Sequence, residues 1–217
     1  MEKYKGIIFD LDGTLLDTLD DLGDSMNEAL ETLGYPIYTI DQYKTKIAGG
    51  FRGLGINALP KETNEKVINQ LIDVFVEVYD RKYANKTRPY ERIQELLNDL
   101  VSKDIILGIN SNKRDRYTKS LVDKFFRNIP FVKIYGEREG LPKKPDPYTA
   151  LEIAKEMGLS VSDILFIGDT RVDIQTAHNA GMHSVGVLWG FRDYEELRDY
   201  GATYIVEKPE DILELVK

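Results

Sequence analysis

Gly6-Ile7-Ile8-Phe9-Asp10-Leu11-Asp12-Gly13-Thr14 is the stretch on which the fold turns. From Tyr4 to Phe9 it is short and apolar, with β-branched residues at Ile7 and Ile8. Such a run, with no polar alternation, predicts a strand buried on both faces, as in a parallel sheet. It ends abruptly in two carboxylates and a glycine. Residues two apart in extended chain point the same way, so Asp10 and Asp12 repel unless a cation or a proton intervenes.

Working outward, Leu19, Leu22, Met26, Leu30 and Leu33 recur at helical spacing, with Asp17 or Thr18 at the start and Gly34 after the end. A weaker helical stretch near Asp41 leads to Gly49–Gly55, which reads as a mobile glycine-rich loop. A long helix is expected from about Glu62 to Tyr83. After Pro89 the texture changes. Strands are expected at Ile105–Ile109, Phe131–Tyr135, Ile164–Ile167, Ser184–Leu188 and Thr203–Val206, with helices between them. Alternation at this spacing predicts an α/β fold, a doubly wound, Rossmann-like parallel sheet. The expected domains are a core of residues 1–15 and 86–217 and an inserted α-helical cap of residues 16–85.

Ligands of such sheets bind beyond the carboxyl ends of the strands. Those ends offer Asp10 and Asp12, then Ser111-Asn112, then Lys143-Lys144-Pro145, then Asp169 and Asp173. An all-oxygen acidic cluster without cysteine suits a hard cation such as Mg2+. A carboxylate nucleophile, a cation, a lysine and a hydroxyl together suit phosphoryl transfer.

Bulk properties agree. The 217 residues are 42% hydrophobic and 30% charged, ordinary for a globular protein. The absence of cysteine excludes disulfides, thiolate zinc sites and a cysteine nucleophile. A net charge of −8 without a basic patch argues against nucleic acid and anionic membranes as partners. Met1-Glu2-Lys3-Tyr4-Lys5 precedes too short an apolar stretch for a signal peptide, so a cytoplasmic protein is expected.

Asp10-Leu11-Asp12-Gly13-Thr14-Leu15, Ser111-Asn112, Lys144-Pro145 and Gly168-Asp169-Thr170 with Asp173 resemble, in order, the four motifs of the haloacid dehalogenase superfamily. The helical insert after the first motif is similar to that family's small cap. The resemblance implies Asp10 as nucleophile and Asp12 as general acid/base, with Ser111 and Lys144 binding the transferring phosphate. It implies Asp169 as a Mg2+ ligand with Asp10 and the Asp12 carbonyl, and Asp173 acting on the metal indirectly. Gly13, Thr14 and Asn112 would line the phosphate site. The resemblance implies that Asp12 favours a phosphatase or phosphomutase over the dehalogenases, which lack it.

Within the family the nearest resemblance is to phosphoglycolate phosphatases. It is carried by Asp17-Thr18, Ala48-Gly49-Gly50-Phe51-Arg52-Gly53, and Gly181-Met182 through Val185–Phe191. Arg92 stands where those relatives usually have glycine. Gly50 and Arg52 are the cap's candidate substrate contacts, Arg52 through a substrate carboxylate. The expected function is Mg2+-dependent hydrolysis of a small phosphorylated metabolite through an aspartyl-phosphate, by a monomer or homodimer. A phosphomutase of the β-phosphoglucomutase type, or a pyrophosphatase or nucleotidase of the same family, are the rival enzymes. A phospho-accepting signalling domain is the rival outside enzymes, disfavoured by the chain's length and its Asp-x-Asp-Gly-Thr.

Overall fold

The computed structural model describes residues 4–216. The first residues weighed against a signal peptide, and both ends of the expected core range, lie outside them. The chain divides into two compact units, Met1–Leu16 with Pro89–Lys217, and Asp17–Arg88. It starts with β1 (Gly6–Phe9) and crosses to the second unit through the two-residue strand β2 (Leu16–Asp17). Helices α1 (Leu19–Thr32), α2 (Ile40–Lys46), α3 (Gly50–Ala58) and α4 (Glu65–Lys82) follow, and β3 (Arg88–Pro89) marks the return. The rest alternates: α5 (Ile93–Ser102), β4 (Ile106–Arg114), α6 (Asp115–Phe126), β5 (Phe131–Glu137) and α7 (Tyr148–Met157). Then come β6 (Ile164–Gly168), α8 (Arg171–Asn179), β7 (His183–Val187), α9 (Tyr194–Asp199) and β8 (Tyr204–Val206).

Six strands form one parallel sheet in the order β5-β4-β1-β6-β7-β8. This is the doubly wound α/β fold that the alternation predicts. All four residues of β1 and all five of β6 are buried, because helices cover both faces. Ile8 and Phe166 share a core cluster with Ile153, Ala154 and Met157 of α7 and Ala177 of α8. From β1 the chain goes first to β4 and β5 on one side, then to β6, β7 and β8 on the other. That reversal makes the carboxyl end of β1 a switch point, where open α/β sheets place ligands.

The sheet register sets up the site. Phe9 pairs with Ile109 on one neighbour and Ile167 on the other. The next row is therefore Asp10, Asn110 and Gly168, and one step further lie Ser111 and Asp169.

The helical unit packs α1 against α4. Leu22, Met26, Ala29 and Leu30 of α1 are buried, as are Leu71, Phe75 and Tyr79 of α4. Gly49–Gly55 corrects the sequence reading, since it is mostly the helix α3 and not a loop. Gly49 and Gly50 take left-handed φ angles of 67° and 71° at the turn into it. Gly55 lies so close to α4 that a Cβ there would sit 2.5 Å from Ile72 Cδ1. Here glycine serves close helix packing rather than mobility. Phe51 of α3 packs edge-on to Phe75 and Tyr79, with ring centroids 4.9 and 5.2 Å away.

Candidate active site

Asp10 follows β1 directly and is anchored by its backbone N–H, which donates to the Ile167 carbonyl at 2.8 Å. The chain then tightens: the N–H groups of Leu15 and Leu16 both donate to the Leu11 carbonyl. Gly13 has φ of 82°, and a Cβ there would overlap the Asp169 carboxylate. Only glycine lets this loop run so close to the acid on β6. The buried Thr14 contributes its carbonyl, which accepts from Trp189 Nε1 at 3.0 Å, while its hydroxyl has no partner among the described residues. Trp189 thus pins the loop that carries Asp10 and Asp12, more than the plain packing its sequence suggests.

Asp10, Asp169 and Asp173 are all buried, and each offers an oxygen within 4.8 Å of the others. Lys144, equally buried, places Nζ 2.9 Å from Asp10 Oδ1 and 2.6 Å from Asp173 Oδ1. Asp173 also accepts from the Thr170 N–H and hydroxyl at 3.1 and 2.7 Å, so both its oxygens are engaged. Asp169 accepts from the Phe191 N–H at 2.8 Å through Oδ2, and its Oδ1 is buried with no hydrogen-bond partner among the described residues.

The electrostatics follow from burial. Desolvation pushes the Asp10 carboxyl up to about 7, against the lowering effect of Lys144 and with further upward push from Asp173. Burial, then Asp173 and Asp10, raise Asp169 well above the ordinary carboxylate range. Burial pulls the Lys144 ammonium down, but Asp10 and Asp173 outweigh it and hold the group above its usual value. Fully ionised, three carboxylates against one ammonium would carry two negative charges in excess, and it is this excess that the raised Asp10 and Asp169 carboxyls relieve by holding protons when no cation is bound. An unpartnered Asp169 oxygen, an all-oxygen donor set and a deficit of two positive charges fit a hard divalent cation.

The structure brings the remaining core candidates to the same strand ends. Ser111 is buried and its hydroxyl oxygen accepts from the Lys113 N–H at 3.2 Å. Asn112 clasps the Lys144 backbone: its Nδ2 donates to the Lys144 carbonyl at 3.1 Å, and its Oδ1 accepts from the Lys144 N–H at 3.0 Å. Lys143 instead pairs with Glu137 at 2.5 Å. Asp12 directs its carboxylate to Lys113, outside the group of three acids. Lys113 is the residue that the sequence reading missed. The expected strand ends at Ile109, whereas β4 runs to Arg114 with a register shift between Asn110 and Arg114, and that extension carries Lys113 to the site.

The cap candidates stay within their own unit. Gly50 opens α3. Arg52 pairs with Glu65, and its Nη1 donates to Asn69 Oδ1 at 3.0 Å.

A buried acidic cluster with a fixed lysine at a sheet switch point suits a site that takes a cation together with an oxyanionic group. Comparison with known proteins narrows this. Residues 7–187 match the family model for haloacid dehalogenase-like hydrolase. The chain is 31% identical to the phosphoglycolate phosphatase of Aquifex aeolicus, over 97% of this chain and 95% of that one. It is 32% identical to the phosphoglycolate phosphatase of Mannheimia succiniciproducens, over 99% of each. A crystal structure from Lactobacillus delbrueckii subsp. bulgaricus, a proposed phosphoglycolate phosphatase, superposes with a TM-score of 0.93 at 31% identity, covering 99% of this chain and 98% of that one. The chain belongs to the haloacid dehalogenase-like hydrolases, as a phosphatase of that family. Among the described residues, no helix is long and apolar enough to cross a membrane.

Proposed function

We propose that the protein hydrolyses a small phosphate monoester of the phosphoglycolate type, with Mg2+ and through an aspartyl-phosphate on Asp10. The observation that carries this is the buried Asp10–Asp169–Asp173 cluster, which when ionised exceeds the Lys144 charge by two, and its Asp169 oxygen with no hydrogen-bond partner among the described residues. Asp10, Asp169 and the Asp12 carbonyl would hold the metal. Asp173, engaged by Lys144 and Thr170, suits an indirect role that orients its neighbours. When bound, Mg2+ supplies positive charge that keeps the acids ionised and offsets charge on the phosphoryl oxygens.

The chain's own residues divide the work. Lys144 and Ser111 bind the phosphoryl group, and Asn112 fixes the Lys144 backbone. An Asp10 oxygen bonds to phosphorus while the ester P–O bond breaks and leaves its electron pair on the alcohol oxygen. Asp12 gives that oxygen a proton. Asp12 then takes a proton from water, the water oxygen bonds to phosphorus, and the bond from phosphorus to Asp10 breaks. Residues 16–85 act as a cap that selects the substrate. An Arg52 contact to a substrate carboxylate would require it to exchange its present partners, Glu65 and Asn69.

The test is phosphate release from phosphoglycolate, sugar phosphates, nucleotides and pyrophosphate, with and without Mg2+. Mg2+-dependent release with phosphoglycolate far ahead is expected. Equal release after chelation contradicts the metal assignment, and a different leading compound contradicts the substrate assignment.

A further inference from the structure

Two buried lysines share out the acids of this site. Lys144 takes Asp10 and Asp173. Lys113 takes Asp12, with Nζ 3.0 Å from one carboxylate oxygen and 2.9 Å from the other. The Lys113 side chain is 0% exposed and that of Asp12 is 16% exposed. An ammonium with no access to water must be paired, and the Asp12 carboxylate is a partner that meets it with both oxygens. A short side chain on a loop can sample several rotamers, and a clasp on both oxygens selects one. Strand β4 fixes the clasp itself, because it carries Lys113 two residues beyond Ser111.

We infer that Lys113 is a positioning residue for Asp12, acting on turnover through that carboxylate and not by binding the phosphoryl group. The inference rests on the proton-transfer role proposed for Asp12. Proton transfer demands heavy-atom approaches of about 2.6–3.2 Å, and a misplacement of about 1 Å can cost ~100-fold in rate. In the first half-reaction an Asp10 oxygen bonds to phosphorus, the ester P–O bond breaks, and the Asp12 proton goes to the departing alcohol oxygen. A phenolate such as p-nitrophenolate departs without that proton, whereas an alkoxide does not.

The experiment compares wild type, Lys113→Met, Lys113→Arg, Asp12→Asn and the double variant Asp12→Asn/Lys113→Met. First-turnover alcohol release is read from an alkyl phosphate and from p-nitrophenyl phosphate, together with inhibition by inorganic phosphate. Lys113→Met should slow the alkyl ester by about 10- to 100-fold and p-nitrophenyl phosphate much less. Phosphate inhibition should stay within about twofold, Lys113→Arg should recover part of the loss, and the double variant should be no slower than Asp12→Asn, as for two residues acting as one unit. Weakened phosphate inhibition, or a Lys113 effect that persists in full beside Asp12→Asn, overturns the inference. If Asp12→Asn discriminates between the esters and Lys113→Met does not, the inference alone fails. If Asp12→Asn slows both esters equally, the proton-transfer reading fails first. Circular dichroism checks folding, and Lys113→Arg carries the same comparison should Lys113→Met fail to fold.

Discussion

Asp21 and Asp169 are both buried aspartates, 2% and 0% exposed, one in the helical unit and one in the α/β unit. Asp21 is fully served. It accepts from the Lys86 N–H with both oxygens, and from the Thr87 N–H and hydroxyl at 2.8 and 2.7 Å. Asp169 accepts one backbone N–H, has no partner for Oδ1 among the described residues, and faces two other carboxylates. The same side chain is thus a structural tie in one unit and an electrostatic liability in the other. Buried polar groups are normally satisfied, and of these two aspartates it is the one among other carboxylates at the strand ends that is not. The remaining charged groups of the helical unit repeat the contrast, since pairs such as Arg81–Glu28 and Lys86–Asp24 sit at the surface, where ion pairs contribute little.

Substitution should separate the two acids by sign. Asp21→Ala orphans the Lys86 and Thr87 N–H groups and leaves the Thr87 hydroxyl only the Tyr83 carbonyl at 3.2 Å, and should cost about 3 kcal/mol of stability, read by urea unfolding. A loss below about 1 kcal/mol would remove the structural side of the comparison. Asp169→Asn relieves repulsion and keeps an acceptor for the Phe191 N–H. It should stabilise the metal-free protein by about 1 kcal/mol, the usual scale for relieving a functional site, and abolish the rise in Tm on adding Mg2+. A destabilised Asp169→Asn that still gains stability from Mg2+ would mean that this acid is structural too.

Much of the α/β unit was legible because its signals are local. Buried parallel strands are apolar runs, and Asp10, Ser111 and Asp169 sit within two residues of strand segments read correctly. What escaped depends on distant chain. The helix at Gly50–Ala58 is set by Gly55 meeting Ile72 and by Phe51 meeting Phe75, partners some twenty residues away. The Trp189 bond to Thr14 spans 175 residues. Lys113 was hidden by ending its strand at Ile109, five residues short of its true end. Arg92 is a position whose backbone the sequence alone does not reveal. Its φ is 65°, a left-handed conformation that favours glycine, and its side chain reaches Glu95 and Glu210 at the surface.

Phosphorylation of Asp10 is the step on which the proposed mechanism stands. The protein should be quenched in acid during turnover with Mg2+ and phosphate ester, reduced with borohydride, and mapped by mass spectrometry. Acyl phosphate reduction should convert residue 10 to homoserine, and Asp10→Asn should show neither the product nor turnover while keeping its fold. Modification at another residue, or turnover retained by Asp10→Asn, would contradict the account.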